Sequence, residues 1–177
     1  MFNQQQHVYY DNFLSDVMFE ELSEVVESNS FDWYWRHTAT RIDNQYNMYH
    51  ILYEKKGTNE HQSGYYNLFE NVLTSLVSKL GGIELIRAKL VMHLQRNERQ
   101  YTGLHHDIRG NTGGEKYDVD AKIFIFNFTT CNGGTVIGET EVKSKANSGI
   151  FFSNKYAHQG IIQSDKPRRI LMNIVFY

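Results

Sequence analysis

Cysteine and proline are almost absent from this sequence of 177 residues, which contains one of each, Cys131 and Pro167. A single cysteine excludes an intramolecular disulfide and a multi-cysteine zinc site. No stretch approaches the roughly 18 apolar residues that span a bilayer, and the first ten residues lack the apolar core of a signal peptide. We therefore expect a protein of the cytoplasm, without a membrane partner.

A net charge of one sign is also missing. The 18 Lys and Arg residues are balanced by 20 Asp and Glu residues, which leaves a net charge of -2. Such a chain has no global basic field for a phosphate backbone, so we expect no nucleic-acid partner. Its length and its 41% hydrophobic residues are those of one globular domain, and no linker or repeat divides it. We predict a single domain over residues 1–177.

The first half of the chain predicts two amphipathic helices. In the range 14–28 apolar residues recur at helical spacing, and Asn12 or Ser15 is the expected N-cap. The second helix covers residues 65–80 and ends at the Gly81-Gly82 pair. Between the helices, two aromatic stretches predict one or two edge strands: Phe31–Trp35 and Tyr49–Tyr53.

The second half contains short, strand-like segments separated by turn residues. The predicted strands are Ile86–Gln95, Ala121–Phe128, Thr135–Val142, Ser148–Phe152 and Arg168–Tyr177. Two helices followed by many short strands indicate helices packed on one face of a sheet sandwich or barrel. We therefore divide the chain into a helical support region, 1–85, and a β core, 86–177.

The last predicted strand has a strict two-residue alternation. Its apolar set, from Ile170 to Phe176, is expected to face the helices, which directs Arg169 and Asn173 into the sandwich. A buried arginine requires an anionic partner.

Three short segments carry the candidate chemistry. His105 and Asp107 are two residues apart in a strand-like segment, so both project from one face, and His106 points away. Together with His158 they make two imidazoles and one carboxylate, the facial set that leaves positions open on Fe(II). Each segment also has a simpler interpretation: a solvated loop for residues 103–107 or a turn at His158. A solvated charge pair is equally open for Arg168-Arg169.

The order of these residues resembles that of the Fe(II)- and 2-oxoglutarate-dependent dioxygenases: HxD, a distal His, then a basic residue about ten positions later. The resemblance is closest to short phage and bacterial oxygenases related to prolyl 4-hydroxylases. Its specific part covers residues 86–177, including a turn similar to theirs at Cys131–Thr135. It implies an α+β, mainly β fold: a double-stranded β-helix of the jelly-roll, cupin-like type, with the N-terminal helices packed on the major sheet.

The resemblance implies a role for each site residue. His105, Asp107 and His158 would bind the iron, and Arg169 would bind the distal carboxylate of 2-oxoglutarate. The family often uses a Tyr on the strand that corresponds to Lys122–Phe128, and this sequence has none there. Asn127 is our substitute for that Tyr. Two further candidates, on one face of the Ile86–Gln95 strand, are His93 and Gln95.

The implied activity is hydroxylation of an unactivated C–H bond with Fe(II), 2-oxoglutarate and O₂, releasing succinate and CO₂. The substrate would be a peptide or a small molecule, such as a prolyl or other amino-acid side chain. The loop Arg99–Asp120 is expected to border the pocket, with Tyr101, Arg109 and Lys116 as selecting residues. The alternatives are a cupin-like metal-binding protein and a non-catalytic binding module on the same fold.

Overall fold

The computed structural model describes residues 7–37, 45–81, 83–108 and 118–177. Helix α1 spans Asp16–Glu27 and helix α2 spans Glu70–Leu80, which a short 3-10 helix, Tyr66–Phe69, precedes. The strands are β1 His7–Tyr10, β2 Tyr34–Arg36, β3 Asn47–Lys56, β4 Asn59–Gln62, β5 Leu85–Leu94, β6 Gln100–Tyr101, β7 Lys122–Asn127, β8 Gly134–Ile137, β9 Thr140–Lys143, β10 Ser148–Ser153, β11 His158–Ile162 and β12 Arg168–Phe176.

The described strands form two antiparallel sheets. The larger sheet has eight strands in the order β1-β10-β7-β12-β5-β3-β2, with β4 paired to β3. The smaller sheet has the order β6-β11-β8-β9. Strands β5 to β12 therefore contribute four strands to each sheet, which is the jelly-roll arrangement. The predicted double-stranded β-helix is confirmed.

Both helices pack on the outer face of the larger sheet. Ser15 is the N-cap of α1, and its hydroxyl accepts a hydrogen bond from the Met18 amide at 3.5 Å. Helix α2 ends at Gly81, whose φ of 84° favours glycine. The apolar faces of the helices share one buried cluster with alternate residues of β12, namely Ile170, Met172, Ile174 and Phe176.

A second apolar cluster fills the space between the sheets. It contains the other β12 residues, Leu171 and Val175, together with Val91 of β5, Ile125 of β7 and Ile137 of β8. Arg169 and Asn173 belong to this inner set and are buried. The alternation predicted for the last strand is confirmed.

The N-terminal region contains more strand than predicted. Besides its helices it holds β1 to β4, and β1, β2 and β3 widen the larger sheet. The expectation that Tyr49–Tyr53 forms an edge strand is wrong, because β3 pairs with β5 on one side and with β2 on the other. The edge is formed instead by β2 and β4, which pair with different parts of β3.

The predicted single strand Thr135–Val142 is a hairpin. It divides into β8 and β9, which pair with each other across Gly138. The φ of Gly138 is 58°, a left-handed conformation that is typical of the turn between two hairpin strands and that favours glycine. In the described ranges, no helix is long and apolar enough to cross a membrane.

Candidate active site

A pocket with an empty volume of about 520 Å³ opens between the two sheets. Its lining combines apolar side chains from the larger sheet with polar side chains from β3, β5, β8, β11, β12 and the segment between β6 and β7. The polar members include Lys89, His93, His105, Asp107, Thr135, His158, Arg169 and Asn173. The HxD segment and the two distant residues His158 and Arg169 thus line one pocket.

His105, Asp107 and His158 form a compact cluster. Each contributes one potential ligand atom, and the three atoms lie within 4.8 Å of one another. Two backbone hydrogen bonds hold the segments together: the His105 amide donates to His158 O, and the His158 amide donates to His105 O, both at 2.9 Å. His105 is not in a regular strand but in an isolated bridge to His158. The tertiary pairing, and not strand geometry alone, brings the residues together.

The tautomer of His105 is set by a hydrogen bond. Its Nδ1 lies 2.9 Å from the Gly103 carbonyl oxygen, which can only accept, so Nδ1 carries the proton. The lone pair of Nε2 is therefore available to a metal. Burial, followed by the charge of His158, lowers the pKa of His105, which favours the neutral form that metal ligation requires.

A buried asparagine holds the HxD loop in place. The Asn154 side-chain oxygen accepts from the Asp107 amide at 2.9 Å, and its Nδ2 donates to the carbonyls of Ile108 and Asp118. His106 lies 2.6 Å from the Asn154 carbonyl, so its side chain is directed away from the cluster as expected. Asn154 anchors three consecutive loop residues behind the candidate ligands.

Asp107 is held by partners at both carboxylate oxygens. Arg87 Nη2 lies 2.5 Å from Oδ1, Asn173 Nδ2 donates to Oδ2 at 3.0 Å, and His158 Nε2 lies 3.3 Å from Oδ2. Arg87 also donates to Asn173 Oδ1 at 3.1 Å, which closes the network. Burial alone would raise the pKa of Asp107, but Arg87 and His158 hold it well below its usual range. The carboxylate is ionised and oriented without a metal.

Arg169 is fully buried, and the described residues give it no carboxylate partner. Its Nη atoms make only long contacts, to Ile161 O at 3.5 Å and to Asn127 Oδ1 and Thr135 Oγ1 at 3.4 Å. Within the described part of the chain, its Nε has no hydrogen-bond partner. Burial lowers the pKa of Arg169 to about 10, so the guanidinium is charged at neutral pH. A buried cation in this state calls for an anion.

Asn127 lies behind Arg169 and is not among the residues that line the pocket. Besides the contact with Arg169, its Oδ1 accepts from Ser144 at 3.1 Å, and its Nδ2 donates to Ser148 at 3.2 Å. Thr135, which both lines the pocket and contacts Arg169, is better placed to reach a bound ligand. Direct binding of 2-oxoglutarate by Asn127 stays a prediction.

Gly133 in the turn Cys131–Thr135 has a structural reason to be glycine. A Cβ there would come within 2.6 Å of the Ile161 carbonyl and 3.1 Å of Arg169 Cδ. The absent side chain therefore leaves the space that the Arg169 stem occupies.

The other candidate residues have different positions. His93 lines the pocket, whereas Gln95 follows β5 and donates to Ser164 O at the surface. Tyr101 is 50% exposed at the end of β6. Arg109, Lys116 and Gly82 lie outside the described residues.

Two residues of the site were missed by the sequence analysis. Arg87 and Lys89 lie on β5, four and two positions before Val91, and share its inner face. Lys89 lines the pocket, and Arg87 contacts Asp107 and Asn173. Burial, followed by the charge of Arg87, lowers the pKa of Lys89 to about 7. The period of two along β5, counted back from His93, would have placed both on the inner face.

The residues present fit a divalent metal and a dicarboxylate. Two imidazoles and one ionised carboxylate within 4.8 Å are a facial donor set that suits Fe(II). The uncompensated guanidinium of Arg169 fits a carboxylate, which its planar fork can bind through two parallel hydrogen bonds.

No protein-family model matches this chain. No curated protein sequence matches it either. Among solved structures, the fold is similar to a viral collagen prolyl hydroxylase from Paramecium bursaria Chlorella virus-1, with a TM-score of 0.64 and 13% identity over 98% of this chain and 96% of that chain.

Two bacterial structures show the same similarity. A 2OG-Fe(II) oxygenase family oxidoreductase from Burkholderia pseudomallei has a TM-score of 0.68 and 12% identity, over 98% of this chain and 86% of that one. A prolyl-4-hydroxylase from Pseudomonas putida has a TM-score of 0.57 and 12% identity, over 97% and 91%. This chain therefore has the jelly-roll fold of the 2-oxoglutarate- and Fe(II)-dependent oxygenases.

Proposed function

We propose that this protein is an Fe(II)- and 2-oxoglutarate-dependent dioxygenase that hydroxylates an unactivated C–H bond of a peptide or small-molecule substrate. The observation that carries the proposal is one pocket that contains both a His-Asp-His cluster and a buried arginine for which residues 7–37, 45–81, 83–108 and 118–177 supply no counter-ion. A cupin-like metal protein without cosubstrate would need the cluster but would leave Arg169 unexplained.

In this proposal His105, Asp107 and His158 hold the metal. Arg87 and Asn173 orient the Asp107 carboxylate, and the Gly103 carbonyl orients the His105 ring. Partners of this kind fix the ligands before the metal arrives, so little ordering remains to be done on binding.

Arg169 binds the distal carboxylate of 2-oxoglutarate. Thr135, beside its guanidinium, contributes a hydroxyl, and Asn127 and the Ile161 carbonyl support the arginine from behind. The apolar lining, which includes Val91, Ile125 and Leu171, excludes water from the space between Arg169 and the metal ligands. Iron and 2-oxoglutarate, once bound, supply the oxidation: O₂ is consumed, succinate and CO₂ are released, and a substrate carbon is hydroxylated.

The test is an anaerobic titration of the metal-free protein with Fe(II) and then 2-oxoglutarate, followed by the weak visible charge-transfer band of the chelated cosubstrate. We expect the band only when both are present. Asp107→Ala should lose Fe(II) itself. Arg169→Met should keep Fe(II) but lose the band at a 2-oxoglutarate concentration that saturates the wild type.

Arg168→Met is the matched control, because Arg168 is the adjacent arginine on β12 and forms a surface ion pair with Glu27 at 3.0 Å. It should behave like the wild type. Iron binding without a band in the wild type would favour a cupin-like metal protein. Absence of any iron would favour a non-catalytic binding module.

A further inference from the structure

Lys89 is a second basic side chain in the pocket, and it lies beside the candidate metal ligands. Its neighbour on the paired strand β12 is Asn173, whose side-chain amide donates to Asp107 Oδ2. Cross-strand neighbours of this kind share a face and lie side by side. The charge of Lys89 acts on both Asp107 and His105. Lys89 is thus at the metal end of the pocket.

The described part of the chain offers Lys89 no ion-pair partner. No carboxylate oxygen in these ranges lies within 4.0 Å of its Nζ. The nearby charges that act on it are Arg87, Arg36, Asp107 and Glu54. Asp107 is already paired with Arg87, and Glu54 forms an ion pair with Lys56 at 2.7 Å. A partly buried ammonium among two arginines is unfavourable unless an anion joins it.

The distal carboxylate of 2-oxoglutarate does not serve as that anion if it binds to Arg169. Arg169 and Asn173, the β12 neighbour of Lys89, are four residues apart on the strand, which corresponds to about 13 Å. The two basic side chains therefore define separate ends of the pocket, with the candidate metal ligands at the Lys89 end.

Beside Lys89 the larger sheet continues through the neighbouring strands β3 and β2. The β3 neighbour of Lys89 is Ile51, which is partly exposed, as is Tyr49 on the same face. Tyr34 on the edge strand β2 faces Tyr49 and is 52% exposed. A ligand with its anionic group at Lys89 finds an apolar and aromatic surface here for the rest of the molecule.

We propose, on the basis of the function proposed above, that Lys89 binds a carboxylate group of the substrate. The substrate class is then a carboxylic acid whose free carboxylate lies close to the oxidised carbon, such as a free amino acid. An internal prolyl residue of a peptide does not meet this requirement, because it has no carboxylate of its own. The carboxylate at Lys89 places the remainder of the substrate next to the metal ligands and over β3.

The test uses protein loaded with Mn(II) and saturating 2-oxoglutarate, and acetate and acetamide as probes of equal size. The measurement is the paramagnetic relaxation of the probe methyl protons by Mn(II). In the wild type acetate should relax faster than acetamide. Lys89→Met should reduce the acetate effect about tenfold or more, the usual loss when a charged hydrogen-bond partner is removed. Lys143→Met, which removes an exposed lysine of β9, should not change it.

Each other outcome has a distinct meaning. An unchanged acetate effect in Lys89→Met would show that acetate sits on the metal, which overturns the proposal. Weaker 2-oxoglutarate binding in that variant, with acetate unaffected, would assign Lys89 to the cosubstrate and also overturn it. Failure of the wild type to bind Mn(II) and 2-oxoglutarate, seen before any probe is added, would instead refute the proposed function.

The experiment does not depend on one variant. If Lys89→Met does not fold, Lys89→Gln removes the charge and retains polar atoms. Equal relaxation of acetate and acetamide in the wild type overturns the proposal without any variant.

Discussion

Arg87 and Asp107 form an ion pair inside the jelly roll, with 2.5 Å between Nη2 and Oδ1. Their side chains are only 18% and 7% exposed, so solvent screens the pair little. Asn173 bridges the two residues by accepting from Arg87 and donating to the other Asp107 oxygen. One candidate metal ligand is thereby oriented by two different strands, β5 and β12.

Removal of Arg87 should therefore weaken metal binding. We expect Arg87→Met to reduce Mn(II) affinity roughly 10- to 100-fold, the usual cost of losing a partner of a metal ligand. Isothermal titration of the metal-free protein with Mn(II) measures this. Arg99→Met is the control, because it removes a surface arginine that pairs with Glu141. This variant should bind Mn(II) with unchanged affinity. Equal affinity in Arg87→Met and the wild type would show that Asp107 needs no support.

We expect Arg169 to lower the free energy of unfolding of the metal-free protein. Its fully buried guanidinium has only long polar contacts, so Arg169→Met is expected to raise the free energy of unfolding by about 1 to 4 kcal/mol. Urea denaturation measures the change. Arg168→Met removes only a surface ion pair and should change stability by about 1 kcal/mol or less. A strongly destabilised Arg169→Met would mean that the arginine is already satisfied within the protein.

Asn127 offers a way to supply an internal counter-ion. Its Oδ1 lies 3.4 Å from Arg169 Nη2, so Asn127→Asp should place a carboxylate against the guanidinium. This carboxylate would compete with 2-oxoglutarate and weaken its binding about tenfold or more. Titration of the charge-transfer band measures the affinity. Asn59→Asp adds the same charge on the exposed strand β4 and should have no effect. Unchanged affinity in Asn127→Asp would argue against Arg169 as the cosubstrate ligand.

We expect Lys89 to make the free energy of unfolding depend on pH in the neutral to alkaline range. Its pKa is about 7 in the folded protein, below the value of 10.5 for a free lysine. Between these values the unfolded chain binds more protons at Lys89 than the folded chain does. Stability therefore rises with pH in this window, by at most about 1.4 kcal/mol per pH unit.

The comparison with Lys89→Met isolates this contribution. The variant should be more stable than the wild type at pH 7, and its advantage should shrink toward pH 10. Lys143→Met controls for the loss of a lysine charge. An advantage of Lys89→Met that does not change between pH 7 and pH 10 would contradict the lowered pKa.

Local patterns in the sequence predicted much of the fold. Helical spacing located both helices, with Ser15 and Gly81 at their ends, because caps depend on a few adjacent residues. The alternation along β12 directed Arg169 and Asn173 into the sandwich, because successive side chains of a strand point to opposite faces. The order of His105, Asp107, His158 and Arg169 indicated the family whose fold the structure shows.

Contacts between distant segments could not be obtained in this way. Residue patterns assign a side chain to a face, but the pairing of strands determines which faces meet. The pairing of β5 with β12 places Lys89 beside Asn173, and the fold brings Arg87 of β5 into contact with Asp107. The position of β3 inside the sheet, and of Asn127 behind Arg169, likewise depends on non-local pairing. The order of residues along the chain predicted the candidate metal ligands and Arg169. The residues that orient these side chains and border the pocket could be identified only from the pairing of the strands.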